Sequence, residues 1–136
     1  MPYLSRYGLF ISHAWKYHED YKRLVDLLDN ANLFKYANYS VPVDDKFKKM
    51  SEDELKEELR QQIRPVNCFL ALGGIYMSNS EWIQFELDFA KSSSKPIVGI
   101  KPWGNVNIST AVSSVAKEIV GWNTESIVEA IRENSI

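Results

Sequence analysis

Short apolar runs alternate with amphipathic stretches along this chain, strand then helix, about five times in 136 residues. That rhythm constrains the fold more than any single motif. A strand followed by a helix must return to the end where the strand began, so the strands pair in parallel and the helices cover both faces of the sheet. The expected strands are residues 7–11, 36–43, 66–72, 95–100 and 118–121. Between them, residues 15–34 take helical spacing, with Tyr17, Tyr21, Leu24, Val25, Leu28 and Ala31 on one face. Ser51-Glu52-Asp53-Glu54 matches a capping box and predicts a helix to about residue 64, stopped by Pro65. Ser78 to Ser80 offer caps for a helix to about residue 92, a weak helix is expected over 108–117, and Thr124 is read as the cap of a last helix to about residue 134.

The third strand is the most apolar, with Val66, Cys68, Phe69, Leu70, Ala71 and Leu72, and belongs at the sheet centre. With right-handed crossovers this predicts a three-layer flavodoxin-like α/β fold, about five parallel strands in the order 2-1-3-4-5. Such a fold places its ligand crevice at the carboxyl ends of strands 1 and 3, where the winding direction reverses. Those ends carry Ser12-His13-Ala14-Trp15 and Leu72-Gly73-Gly74-Ile75.

With no repeat and no long linker, a single domain over residues 1–136 is expected. A net charge of -2 gives no electrostatic footprint for nucleic acid. One cysteine, Cys68, excludes an internal disulfide. No apolar run approaches the ~18 residues of a membrane span, and the first residues lack a signal-like stretch, so a soluble cytoplasmic protein is expected.

Several tenants of the fold are excluded by sequence. Neither G-x-G-x-x-G after strand 1 nor G-x-x-x-x-G-K-[ST] occurs. A phospho-receiver would need carboxylates where Ser12-His13 and Leu72-Gly73 stand, and a flavin phosphate loop would not tolerate Trp15-Lys16-Tyr17. His13 and His18 are the only histidines, no ligand spacing appears, and no metal is expected.

What remains is a carboxylate in an unusual place. In the helix ending near residue 91, Trp82, Ile83, Phe85, Phe89 and Ala90 gather on one side, while Glu81, Gln84, Asp88 and Lys91 gather on the other. Glu86 falls within the apolar side. A carboxylate there costs several kcal/mol of desolvation, roughly, unless it is paired or lines a cavity. Position alone leaves three readings open: a functional group, a side chain that snorkels to solvent, or an ion pair with a Lys or Arg across the helix interface. Ser12 by itself reads as a cap, His13 as a loop histidine, and Asp44 and Lys46 as parts of an exposed loop on the same sheet edge.

Together these residues resemble a known family. Gly8-Leu9-Phe10-Ile11-Ser12-His13-Ala14-Trp15 is similar to the opening strand of TIR-like domains, and Trp82-Ile83-Gln84-Phe85-Glu86 to their W-x-x-x-E helix. Tyr39-Ser40-Val41-Pro42-Val43-Asp44-Asp45 and Lys95-Pro96-Ile97-Val98-Gly99-Ile100 resemble the TIR-like signalling subunit of bacterial Thoeris anti-phage systems. The resemblance spans about residues 7–131 and lacks the proline-containing adaptor loop of receptor TIR domains.

It implies cleavage of NAD between nicotinamide and ribose, with Glu86 catalytic and Phe10, Ser12, His13, Ala14, Trp15, Asp44, Lys46 and Trp82 binding substrate. NAD is then substrate rather than cofactor. The implied product is a cyclic ADP-ribose isomer that activates a separate effector, with a phage-derived activator and homo-oligomerisation as further expectations. The alternative is a non-catalytic TIR-like interaction module, which has no use for an acid on a buried stripe.

Overall fold

Side-chain alternation along the strands sorts the core into two halves, one on each face of a five-stranded parallel sheet in the order β2-β1-β3-β4-β5. The computed structural model describes residues 5–13, 18–40, 51–72, 81–101 and 110–136, and only the backbone of His13, His18, Glu81 and Trp82. In chain order the elements are β1 (Tyr7–His13), α1 (His18–Asp29), β2 (Tyr36–Asn38), α2 (Glu52–Ile63), β3 (Cys68–Leu72), α3 (Glu81–Ser92), β4 (Ile97–Ile100), α4 (Thr110–Ser113), β5 (Glu118–Val120) and α5 (Thr124–Asn134). This is the α/β architecture and strand order that the sequence predicts.

On one face Tyr7, Leu9 and Ile11 of β1 join Cys68, Leu70, Leu72, Val98 and Ile100 under α1 and α5. On the other, Phe10, Phe69, Ala71 and Ile97 lie under Leu59 and Ile63 of α2, Ile83, Leu87 and Ala90 of α3, and Val112 of α4. Phe10 stacks on Phe69 with ring centroids 5.3 Å apart, an arrangement that adds about 0.5–1.5 kcal/mol beyond burial. All five residues of β3 are buried, as a central strand covered on both faces requires.

The ends of the elements depart from the sequence reading. β1 runs to His13, two residues further than expected, because Ser12 and His13 pair with Ala71 and Leu72. β2 is three residues long: Tyr39 and Ser40, expected in the strand, lie beyond it, and residues 41–43 are outside the described residues. α1 ends at Asp29 rather than near residue 34, since Leu33 adopts a left-handed backbone (φ 55°) that a helix cannot contain. β3 begins at Cys68, and Asn67 just before it ties the strand to its neighbours: its N–H donates to the Gly8 carbonyl, its Oδ1 accepts from the Gly8 N–H and its Nδ2 donates to the Ile136 carbonyl.

The capping box at Ser51 is present in full, with Glu54 reaching back to the cap's own N–H. The last helix is capped by Asn123, whose Oδ1 accepts from the Ser126 N–H, and not by Thr124. α4 is one turn long, not the helix expected over 108–117. The Gly73-Gly74 break, the caps at Ser78 to Ser80 and the loop at 102–107 lie outside the described residues. No described helix is long and apolar enough to cross a membrane.

Candidate active site

Three strands lie side by side at the carboxyl edge of the sheet, and their register sets the floor of the site. Phe10, Phe69 and Ile97 form one row across β1, β3 and β4, and the next row toward the carboxyl edge is Ser12, Ala71 and Gly99. A bulky, filled level gives way to one of small side chains. Phe10 and Ser12 share a face of β1 because they are two residues apart. Phe10 is fully buried against Phe69, so it supports the level that Ser12 occupies.

Helix α3 crosses this face. Its buried line is Ile83, Leu87 and Ala90, spaced by four and three residues. The sequence reading omitted Leu87, which is the centre of that line. Phe85, Glu86 and Phe89 are half-buried along its flank, while Gln84 and Asp88 are exposed and hydrogen-bonded to each other. Cations of α2 and its C-cap cover the two rings: Lys56 Nζ and the Arg60 guanidinium carbon stand 5.7 and 5.3 Å from the Phe85 centroid, and the guanidinium carbon of the C-cap residue Arg64 5.7 Å from that of Phe89. With Ile83, Leu87 and Ala90 in the core, Glu86 faces β1.

There the Ser12 hydroxyl donates a 2.7 Å hydrogen bond to Glu86 Oε1, joining residues 74 apart in sequence. Ser12 is 1% exposed, so the bond is made away from bulk water. Burial pushes the Glu86 carboxyl up to about 7, and the Ser12 bond opposes that rise by favouring the ionised form. As a residue Glu86 is only partly buried. Among the described residues no cation pairs with it.

Of the nine residues singled out from sequence, Ser12 and Glu86 touch, and Phe10 lies directly beneath. The backbone of Trp82 sits one helical turn before Glu86, and that of His13 ends β1 beside Leu72; their side chains are not described. Ala14, Trp15, Asp44 and Lys46 lie outside the described residues. Among the described residues no group of three metal-ligating side chains comes together. Cys68 is no nucleophile, since burial pushes its thiol up to about 12. A polar groove of about 510 Å³ between residues 30–32 and α5 contains none of these residues.

The family profile described as "Thoeris protein ThsB, TIR-like domain" matches residues 10–107. The chain belongs to this family. Among solved structures, the Thoeris TIR-like domain is similar to the CMP N-glycosidase BcmB of Clostridium botulinum, with a TM-score of 0.55 and 17% identity over 91% of this chain and 96% of that one. It is also similar to a prokaryotic SEFIR domain, with a TM-score of 0.51 and 14% identity over 93% and 94% of the two chains. At those identities the likeness is one of fold. No curated protein matches the chain.

Proposed function

We propose that this Thoeris TIR-like domain cleaves the bond between nicotinamide and ribose in NAD, with Glu86 as the catalytic carboxylate. The observation that carries the reading is the Ser12–Glu86 hydrogen bond at the carboxyl edge of β1, where the fold's crevice is expected. When the C1′–N bond breaks, the electron pair leaves with nicotinamide. Nicotinamide departs from a pyridinium cation as a neutral molecule, so no acid is needed to protonate it. The ribose is left as an oxocarbenium-like cation, and a fixed carboxylate stabilises it electrostatically. Ser12 holds Glu86 in place and favours its charged form. The positive charge of the bound substrate acts in the same sense and lowers the carboxyl from about 7.

The cation is then captured. Water, losing a proton, gives ADP-ribose; a nucleophilic atom of the same molecule gives a cyclic ADP-ribose isomer. Cyclisation requires that water be kept out; Trp15 and Trp82 are the bulky groups assigned to that task, while Phe10, expected from sequence to bind substrate, is buried against Phe69 and supports Ser12 from beneath. His13, Ala14, Asp44 and Lys46 complete the proposed substrate contacts. In this reading the cyclic product activates a separate effector, and a phage-derived activator or self-assembly switches the enzyme on.

A second reading is favoured by one observation. A carboxyl pushed up to about 7 is partly protonated at neutral pH and suits a general acid. A nucleotide with a neutral base, such as the CMP named for the Clostridium botulinum neighbour, would need that proton on its leaving group. Purified protein and infected cells, each wild type or Glu86→Gln, are assayed by mass spectrometry for nicotinamide, ADP-ribose isomers and free cytosine. NAD cleavage lost in Glu86→Gln, with a rate that rises with pH toward a plateau, supports the first reading. Cytosine release with a rate that falls above about pH 7 supports the second. Neither product, in cells in which the system is protective, refutes both.

A further inference from the structure

The β1 strand that delivers Ser12 is secured on its β2 side by a side chain. The Tyr39 N–H donates to the Leu9 carbonyl at 2.8 Å, and in a regular parallel ladder the Ile11 N–H would next donate to the carbonyl of residue 39. Here the acceptor is Ser40 Oγ, at 2.8 Å. Ser40 is itself oriented: its N–H donates to Asn38 Oδ1 at 2.9 Å, and Asn38 Nδ2 donates to the Tyr21 hydroxyl at 2.9 Å. Asn38 ends β2 and bends the chain so that Ser40 faces β1. A line of hydrogen bonds therefore runs from α1 through Asn38 and Ser40 to the peptide of Ile11, one residue before Ser12.

We propose that Ser40 is a positioning residue for the Ser12–Glu86 pair, its hydroxyl fixing the β1 peptide from which Ser12 reaches Glu86. The catalytic meaning of this role rests on the reading proposed above; the coupling itself does not. Ile11 is 2% exposed, so an acceptor lost from its N–H is not simply replaced by bulk water. The strand would shift toward the next available acceptor, and Ser12 would move with it. Among the described residues Glu86 responds only to burial and to Ser12. Lys56 and Arg60 of α2 are turned to Phe85, and Asp88 of α3 is engaged by Gln84. A displaced Ser12 therefore registers directly in the titration of Glu86.

The test compares wild type, Ser40→Ala and Ser40→Thr, labelled with ¹³C at the glutamate carboxyls, with Glu86→Gln to identify the Glu86 signal. In Ser40→Ala the Glu86 midpoint should rise by roughly 0.5–1 pH unit, the Ile11 amide should lose about tenfold in exchange protection, and kcat for NAD should fall about tenfold with KM little changed. Ser40→Thr keeps the hydroxyl and should restore all three. If Ser40→Ala does not fold, Ser40→Cys keeps the size with a weak acceptor and should show the same shifts. A Glu86 midpoint that stays at the wild-type value while the Ile11 amide loses protection overturns the proposal. The titration needs no turnover, so absence of NAD cleavage in wild type would refute the functional reading and leave the coupling to be decided by the NMR data.

Discussion

Neutralising Glu86 should make the protein more stable and less active, and the stabilisation should depend on pH. The carboxyl is ordinarily near 4.5 and is pushed up to about 7 in the folded protein, by burial. A rise of that size corresponds to roughly 3 kcal/mol of disfavoured charge at 1.36 kcal/mol per unit. Glu86 keeps some exposure, so solvent offsets part of this, and we expect about 1–3 kcal/mol. The folded state holds its proton more tightly than the unfolded state, so wild-type stability falls as pH rises from about 4.5 to 7. Below that window both states are protonated and the penalty vanishes; above it the penalty is constant.

Glu86→Gln removes this dependence and keeps an oxygen to accept from Ser12. Urea unfolding of the two proteins from pH 4.5 to 8.5 should show Gln ahead by that amount at pH 8 and level near pH 4.5, with the other carboxylates cancelling in the difference. Turnover should fall by about 10²–10³, as for loss of one preorganised electrostatic partner. A Gln variant that is less stable than wild type at pH 8, or a difference flat across the range, would refute the reasoning and show that Glu86 holds the fold through its charge.

Ser12→Ala should move the Glu86 midpoint above about 7, because the bond that opposes the effect of burial is lost; the acid limb of the pH–rate profile should shift the same way. An unmoved limb would mean that Ser12 does not touch the working carboxylate. Cys68 should resist a thiol reagent at pH 8 in the folded protein and react at once in denaturant, since it is fully buried and its thiol is pushed up to about 12. Labelling at a native rate near that of a free cysteine would contradict the packing of β3.

The parts of the fold legible in the sequence are those whose cause is local. The capping box is a four-residue pattern, and the structure has it bond for bond. The third strand is apolar at every position, which only a central strand tolerates. The ends of the elements are set by partners far away. Ser12 and His13 are strand residues because Ala71 and Leu72 lie beside them. Asn123 rather than Thr124 caps α5 because its side chain, and not its neighbour's, meets the first free N–H groups. Glu86 was visible as an acid among apolar residues, but its partner could be reached only through the strand order. Ser40 carries no local signal for its role, since a serine that receives an N–H from another strand looks like any loop serine.

Why the acid sits on this face of the sheet and not the other follows from the same register. On the α1–α5 face, Ile11 of β1 lies in one row with Leu70 of β3 and Val98 of β4, all buried and branched. A carboxylate laid over the row of Ile11, Leu70 and Val98 would meet hydrocarbon side chains. On the opposite face the equivalent level is Ser12, Ala71 and Gly99. Each of these is smaller than the Phe10, Phe69 and Ile97 one row below, and one of them is a hydroxyl. The step from large to small leaves depth for the Glu86 side chain, and the single donor fixes one of its oxygens. Among the described residues, α3 thus brings its acid to the place where β1, β3 and β4 exchange bulk for a hydroxyl, a methyl and a glycine.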